Sequence, residues 1–292
     1  MRRAASVLVL VAVVSVFLAG PAAATGKTGQ VTVFWGRNKA EGSLREACDT
    51  GTYTIVVISF LNVFGHGKYN LDISGHPIPG LGDDIKHCQS NGHLVYLSIG
   101  GSGNGYSLPS AKAADDFAEY LWFTYLAGTR PGTHRPFGDA YVDGIDFFIE
   151  TGSPANYDVL AKRLWNYNKD FRARTPVQLM ATPRCKFPDR QVDRALATGL
   201  VGRINVRFYG DGYCASYWQL EWEKWTKAYP DSQIYVGLPA SESRSWVYVH
   251  PKNLFYGVVP VVQKAANYGG IMIWERFADK QSNYSSYAIQ WA

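Results

Sequence analysis

Beyond residue 18 the sequence has no hydrophobic run long enough to cross a bilayer. It has no Ser/Pro-rich linker, no block of like charge and no low-complexity segment, so nothing marks a boundary between domains. It has no C-x2-C pair and no neighbouring pair of histidines, so no zinc site is expected. No cofactor motif is present and no cofactor is expected. An excess of one charge is also missing. The chain carries 29 Lys and Arg against 24 Asp and Glu, and without Arg2 and Arg3 the balance is 27 to 24. That excess is too mild for a nucleic-acid surface.

What is present begins with a leader. Arg2 and Arg3 form a positive start, residues 7–18 are apolar, and Pro21-Ala22-Ala23-Ala24 supplies small residues for cleavage. Residues 1–24 read as a secretory signal peptide, too short in its apolar part for a membrane anchor. Residues 25–292 then form the mature chain, of a size normal for one barrel domain. Secretion makes disulfides the expectation for Cys48, Cys88, Cys185 and Cys214. Four cysteines allow three pairings, and spacings of 40 and 29 residues make Cys48–Cys88 and Cys185–Cys214 the local choice. Aromatic residues reach 14%. That suits a carbohydrate-handling surface, and equally a large aromatic core.

Short β-branched or aromatic runs recur at residues 30–36, 54–61, 94–101, 141–150, 177–184, 203–210, 233–240 and 269–275. Amphipathic stretches such as 111–127, with Phe117, Leu121 and Tyr125 on one face, and 157–171 lie between them. Eight buried-type strands alternating with helices predict a single-domain α/β fold, a (β/α)8 TIM barrel. A doubly wound open sheet would want a Gly-rich phosphate turn after its first strand, and Trp35-Gly36-Arg37-Asn38 is not one. In a barrel the chemistry lies at the C-terminal ends of the strands.

The fourth run is the most informative. In Asp143-Gly144-Ile145-Asp146-Phe147-Phe148-Ile149-Glu150, strand alternation turns Asp146, Phe148 and Glu150 to the barrel interior. One buried acid can be a satisfied core group. Two at this spacing, one of them at the strand end, point to a catalytic origin.

The octapeptide resembles the D-G-x-D-x-D-x-E signature of glycoside hydrolase family 18. Residues 33–38, 97–101, 188–190, 207–209 and 268–274 resemble the plant class III chitinase and lysozyme branch of that family. Residues 27–37 and 249–253 are similar to its cereal xylanase inhibitor group. The resemblance implies that Glu150 stands where the family's general acid protonates the leaving oxygen. The aspartate two residues earlier, which holds the substrate's acetamido N–H, is replaced by Phe148. A phenyl ring cannot accept that hydrogen bond. An electrostatic stabiliser of this kind contributes roughly 2.7 to 4 kcal/mol.

Further departures accompany it. Arg207 stands where the active branch has glutamine, and it shares a face with the retained Tyr209. Its guanidinium can reach Glu150 and work against the proton that a general acid must carry. Phe34 replaces a tyrosine expected to line the cleft. Trp274 matches the family's sugar platform, and is equally a candidate for barrel core. Asp143, Asp146, Glu150 and Tyr209 thus read as vestiges of a disabled site, and Ser102 as a small residue that leaves part of the cleft open.

The resemblance therefore implies a non-enzymatic, secreted, extracellular (apoplast or cell wall) inhibitor of microbial xylanases, monomeric, with no nucleic-acid or membrane partner. A weak chitinase, a chitin-binding lectin and a seed storage barrel are the alternatives, and weak binding of chito-oligosaccharide is compatible with an open cleft. A loop that plugs an acidic xylanase cleft should present Arg or Lys with aromatic anchors. Residues 168–174 offer Lys169, Arg172 and Arg174 on the barrel's lower face. Residues 241–248 offer Arg244 beside Trp246 and Tyr248. Both can equally be ordinary solvated loops. Inhibitors of this group use the loop after the fourth helix against family 11 xylanases and another surface against family 10. Asp170 falls where a basic residue is wanted, which favours a family 10 target. Asn283-Tyr284-Ser285 is the one glycosylation sequon.

Overall fold

The computed structural model describes residues 26–171, 176–242 and 247–292. The leader expected over residues 1–24 lies outside that range. So do Arg172, Arg174, Arg244 and Trp246.

Eight parallel strands close into a barrel. They are β1 (Val31–Trp35), β2 (Ile55–Val63), β4 (Leu94–Gly101), β5 (Gly144–Ile149), β6 (Gln178–Ala181), β7 (Arg203–Arg207), β8 (Gln233–Pro239) and β9 (Tyr268–Trp274). β1 pairs with both β2 and β9, which shuts the ring. The eight runs read from the sequence are these strands. A two-residue strand, β3 (Asn70–Leu71), pairs antiparallel with the end of β2 and was not anticipated. It is too short to carry a periodic signal.

Strand alternation sorts the side chains. Phe34, Ile55, Val57, Phe60, Tyr96, Phe148, Met180, Tyr235 and Met272 fill the barrel. Their neighbours Val33, Val56, Ile58, Ile145, Phe147, Val236 and Leu238 face outward into a second, larger core under the helices. That outer layer comprises α1 (Leu44–Asp49), α2 (Leu81–Ser90), α3 (Ala111–Thr124), α4 (Tyr157–Asp170), α5 (Asp193–Leu196) and α6 (Gly212–Ala228). It continues through α7 (Pro251–Asn253), a π turn at Leu254–Val258, α8 (Val259–Val262), α9 (Arg276–Ser282) and α10 (Tyr284–Ala288).

Helix α3 starts where Ser110 caps the amide of Ala113, and it stops at Thr124, short of the expected residue 127. The chain turns there because Arg135 donates to the carbonyls of Phe123, Leu126, Gly128, Gly138 and Ala140. One guanidinium thus answers carbonyls that a helix end leaves orphaned. Cys48–Cys88 joins α1 to α2, and Cys185–Cys214 ties the segment after β6 to α6. The local pairing is the one formed.

Candidate functional site

At the C-terminal mouth of the barrel lies a cleft of about 480 Å³. The aromatic rings of Phe60, Phe148 and Trp274 make its apolar side, and Arg37, Asp72, Glu150 and Arg207 line its polar side. Gly100 and Gly101 at the end of β4 let these groups come together. Both have positive φ, at 107° and 90°. A Cβ on Gly101 would stand 2.9 Å from the Phe60 ring, and one on Gly100 would stand 2.3 Å from the Phe148 carbonyl. Only glycine fits either place.

Asp146 is fully buried below the cleft. Its carboxylate accepts from Ser98 Oγ at 2.6 Å and from Thr182 Oγ1 at 2.7 Å. Burial pushes its pKa up to about 6, against the pull of the two hydroxyls and of the Arg207 charge. Asn205 donates to Thr182 Oγ1 and extends this polar layer.

Phe148 seals the layer from above. Its ring lies 5.0 Å from that of Phe60, and 5.6 Å from both Phe34 and Trp274. The Arg207 guanidinium stacks over it at 4.2 Å. Nothing on that ring can accept a conventional hydrogen bond, and its remaining side faces the cleft. Arg207 Nη1 then donates to Glu150 Oε1 at 2.5 Å. Arg184 Nη2 stands 3.9 Å from the same oxygen. Glu150 therefore faces two guanidinium groups. Tyr209 stacks on Trp274, and its hydroxyl is buried without a partner among the described residues. Burial drives that phenol well above the ordinary tyrosine range.

Two sequence readings need correction. Asp143 does not belong to the cleft. It begins the strand at the opposite end of the barrel, where its carboxylate accepts from Val95 N at 2.8 Å and Gln89 Nε2 at 3.1 Å. Phe34 does not line the cleft either, because it is fully buried beneath Phe148 and Phe60. Tyr248 lies on the loop after β8, as expected, and is half-buried: it packs on Tyr284 at 5.5 Å and borders a second, mainly apolar cavity between α6, β8 and the π turn. Trp274 takes both of the roles open to it: it borders the cleft and packs on the barrel core. Lys169 is exposed at the end of α4, while Asp170 pairs with Arg163 at 3.6 Å.

Four site residues escaped the sequence reading. Arg184 has the same strand parity as Met180 and Thr182, so alternation could have found it. Arg37 lies over Phe60 at 5.1 Å and pairs with Asp72 at 3.7 Å. Asp72 follows β3, the strand with no sequence signal. Tyr106 donates to Gly101 O at 2.7 Å and accepts from Glu150 N at 3.0 Å, fixing the two strand ends against each other.

The closed barrel, with an acid at the end of β5 and a mouth lined by aromatic rings, defines a protein of the glycoside hydrolase type. The family model for glycosyl hydrolases family 18 matches residues 30–253, and the chain belongs to that family. Within it, the chain is 55% identical to xylanase inhibitor protein 1 of Oryza sativa subsp. japonica, over 98% of this chain and 96% of that protein. It is also 55% identical to xylanase inhibitor protein 1 of Triticum aestivum, over the same shares. Among solved structures, a xylanase–α-amylase inhibitor protein in complex with trehalose superposes with a TM-score of 0.85 at 37% identity. That match covers 89% of this chain and 98% of the other. The resemblance to the cereal inhibitor group read from residues 27–37 and 249–253 thus extends along nearly the whole chain.

Proposed function

We propose that this chain is a secreted inhibitor of microbial endo-1,4-β-xylanases, acting as a monomer, and that its own cleft hydrolyses nothing. The observation that carries the first half is the 55% identity to two cereal xylanase inhibitor proteins over 98% of the chain. Supporting the second half is Phe148, with Arg207 drawn onto Glu150. A leader over residues 1–24, the two disulfides and an exposed Asn283 fit an extracellular glycoprotein.

Hydrolysis of chito-oligosaccharides is expected to equal that of a Glu150→Gln control in a dye-release assay. Phe148→Asp is not expected to restore activity fully, since Arg207 still occupies the acid. Turnover by wild type above the control would refute the non-catalytic reading.

Inhibition is tested by residual activity of fungal family 10 and family 11 xylanases with purified protein added. Family 10 is the expected target. Lys169 ends α4 beside Asp170, which is paired with Arg163 and falls where a basic residue is wanted. The loop after β8 carries Arg244 next to Trp246, and an arginine meeting carboxylates in a dry interface is costly to truncate. Arg244→Ala is expected to raise the inhibition constant at least about thirtyfold, and Glu150→Ala to change it little. Equal inhibition by wild type and Arg244→Ala would assign the wrong loop. Loss of inhibition in a folded Glu150→Ala protein would return the contact to the old cleft.

A second reading, a chitin-binding lectin, is favoured by Trp274, which still borders the cleft. A chitin pull-down separates the two.

A further inference from the structure

We propose that the cavity between α6, β8 and the π turn is a binding site for a small, neutral, flat aromatic molecule that carries a hydrogen-bond acceptor. It lies outside the barrel and shares no lining residue with the cleft at the mouth. It goes beyond xylanase inhibition and does not depend on it.

The walls come from four elements. β8 turns Val236 and Leu238 outward, Phe208 follows β7, α6 supplies Cys214 and Trp218, and Val258 belongs to the π turn. The hollow measures about 510 Å³, inside the range of about 300 to 1,000 Å³ usual for sites of small organic ligands. Its wall contains the irregular stretch Leu254–Val258, and π turns are rare and recur at functional sites. Within that turn, a Cβ on Gly257 would meet no atom within 4 Å, so the space beside it is open.

Charge and ring geometry set the ligand class. No Asp, Glu, Lys, Arg or His is among the described residues that line the cavity. A charged ligand would lose its water there and gain no counter-ion, so a neutral one is favoured. Trp218 then separates an aromatic ligand from an aliphatic one. On the same helix, Trp222 packs against Phe208 and Tyr268, while Trp225 stacks on Tyr229 and donates to Cys185 O. Trp218 is half-buried at the cavity, yet it has neither a ring partner nor a hydrogen bond for its indole N–H among the described residues. An indole face takes a flat ring by offset stacking, and its N–H donates to an acceptor on the ligand. An aliphatic chain would satisfy the apolar walls alone. The carboxamides of Gln219 and Asn253, exposed at the rim, also lack partners among the described residues and can take a polar end.

Fluorescence titration of the full chain with prodan, a neutral naphthyl ketone whose emission moves to the blue in apolar surroundings, tests this. The expected result is saturable one-to-one binding with a blue shift. Methyl naphthoate is expected to displace the probe at least about tenfold more strongly than the naphthoate anion, which has the same rings and one charge. Trp218→Ala is expected to weaken prodan binding at least about tenfold, through the lost stacking and N–H donor. Gly257→Phe places a ring in the open space and is expected to weaken it by at least as much, with the circular dichroism spectrum and urea midpoint unchanged. No saturable binding, the anion displacing as well as its ester, or binding left intact by both substitutions would each overturn the assignment. Xylanase inhibition is read separately, so failure here leaves the inhibitor reading as it stands.

Discussion

Asparagine in place of Asp146 stabilises the protein above pH 6 by about 3 kcal/mol and leaves it unchanged in acid. The carboxyl is fully buried, and its pKa rises from 3.8 to about 6 on folding. Two hydroxyl donors are its hydrogen-bond partners, and Arg207 is committed to Glu150. A raised carboxyl pKa means that the folded state keeps a proton the unfolded chain has released between these two values. Stability from this group is therefore complete below about pH 4 and is lost as pH rises through 6. Asparagine has no proton to lose and is close in shape to the neutral acid. Urea midpoints of both proteins between pH 4 and pH 7 provide the check. Asp143 also has a raised pKa, but it is present in both chains and cancels. A stability difference that does not change with pH would show that Asp146 is not held as described.

Serine at both Cys185 and Cys214 costs about 3.5 kcal/mol by loop-closure entropy for a separation of 29 residues. The same change at Cys48 and Cys88, separated by 40, costs about 4 kcal/mol, since the dependence on length is logarithmic. The first pair has a further structural role. Trp225 Nε1 donates to Cys185 O at 2.6 Å, so freeing the segment also loosens the buried indole of α6. Urea unfolding of the two serine variants measures both costs. A loss below about 1 kcal/mol in either would mean that the cross-link constrains the unfolded chain little.

Much of the barrel is legible in the sequence because β-branched and aromatic runs of strand length are spaced by amphipathic helices. Parity along the fourth run correctly turns Asp146 and Phe148 inward and predicts the meeting of Arg207 with Glu150. Parity, however, says which side of the sheet a residue faces and not how high along the barrel axis it sits. Asp143 and Phe34 show this: the first lies at the base, and the second a layer below the cleft. Tyr248 is half-buried on its loop beside an apolar hollow, and no local pattern reveals that the hollow exists. Arg37 and Asp72 were missed because what places them is the hairpin of β3, formed by two residues against the end of β2. The leader expected over residues 1–24, the end of the lower-face stretch and the centre of the loop after β8 lie outside the described residues.

The stack of Arg207 on Phe148 and its bond to Glu150 tie three side chains to one another. An aspartate at position 148 would place a carboxylate directly under the Arg207 guanidinium and compete with Glu150 for it. Removing Arg207 alone would leave Glu150, its side chain 15% exposed, with only the distant and largely exposed Arg184. Breaking a buried ion pair from one side costs about 3 to 5 kcal/mol, which is a large share of what keeps a domain folded. Phe148 and Arg207 thus hold each other in place, and a change at either one is felt at Glu150 as well.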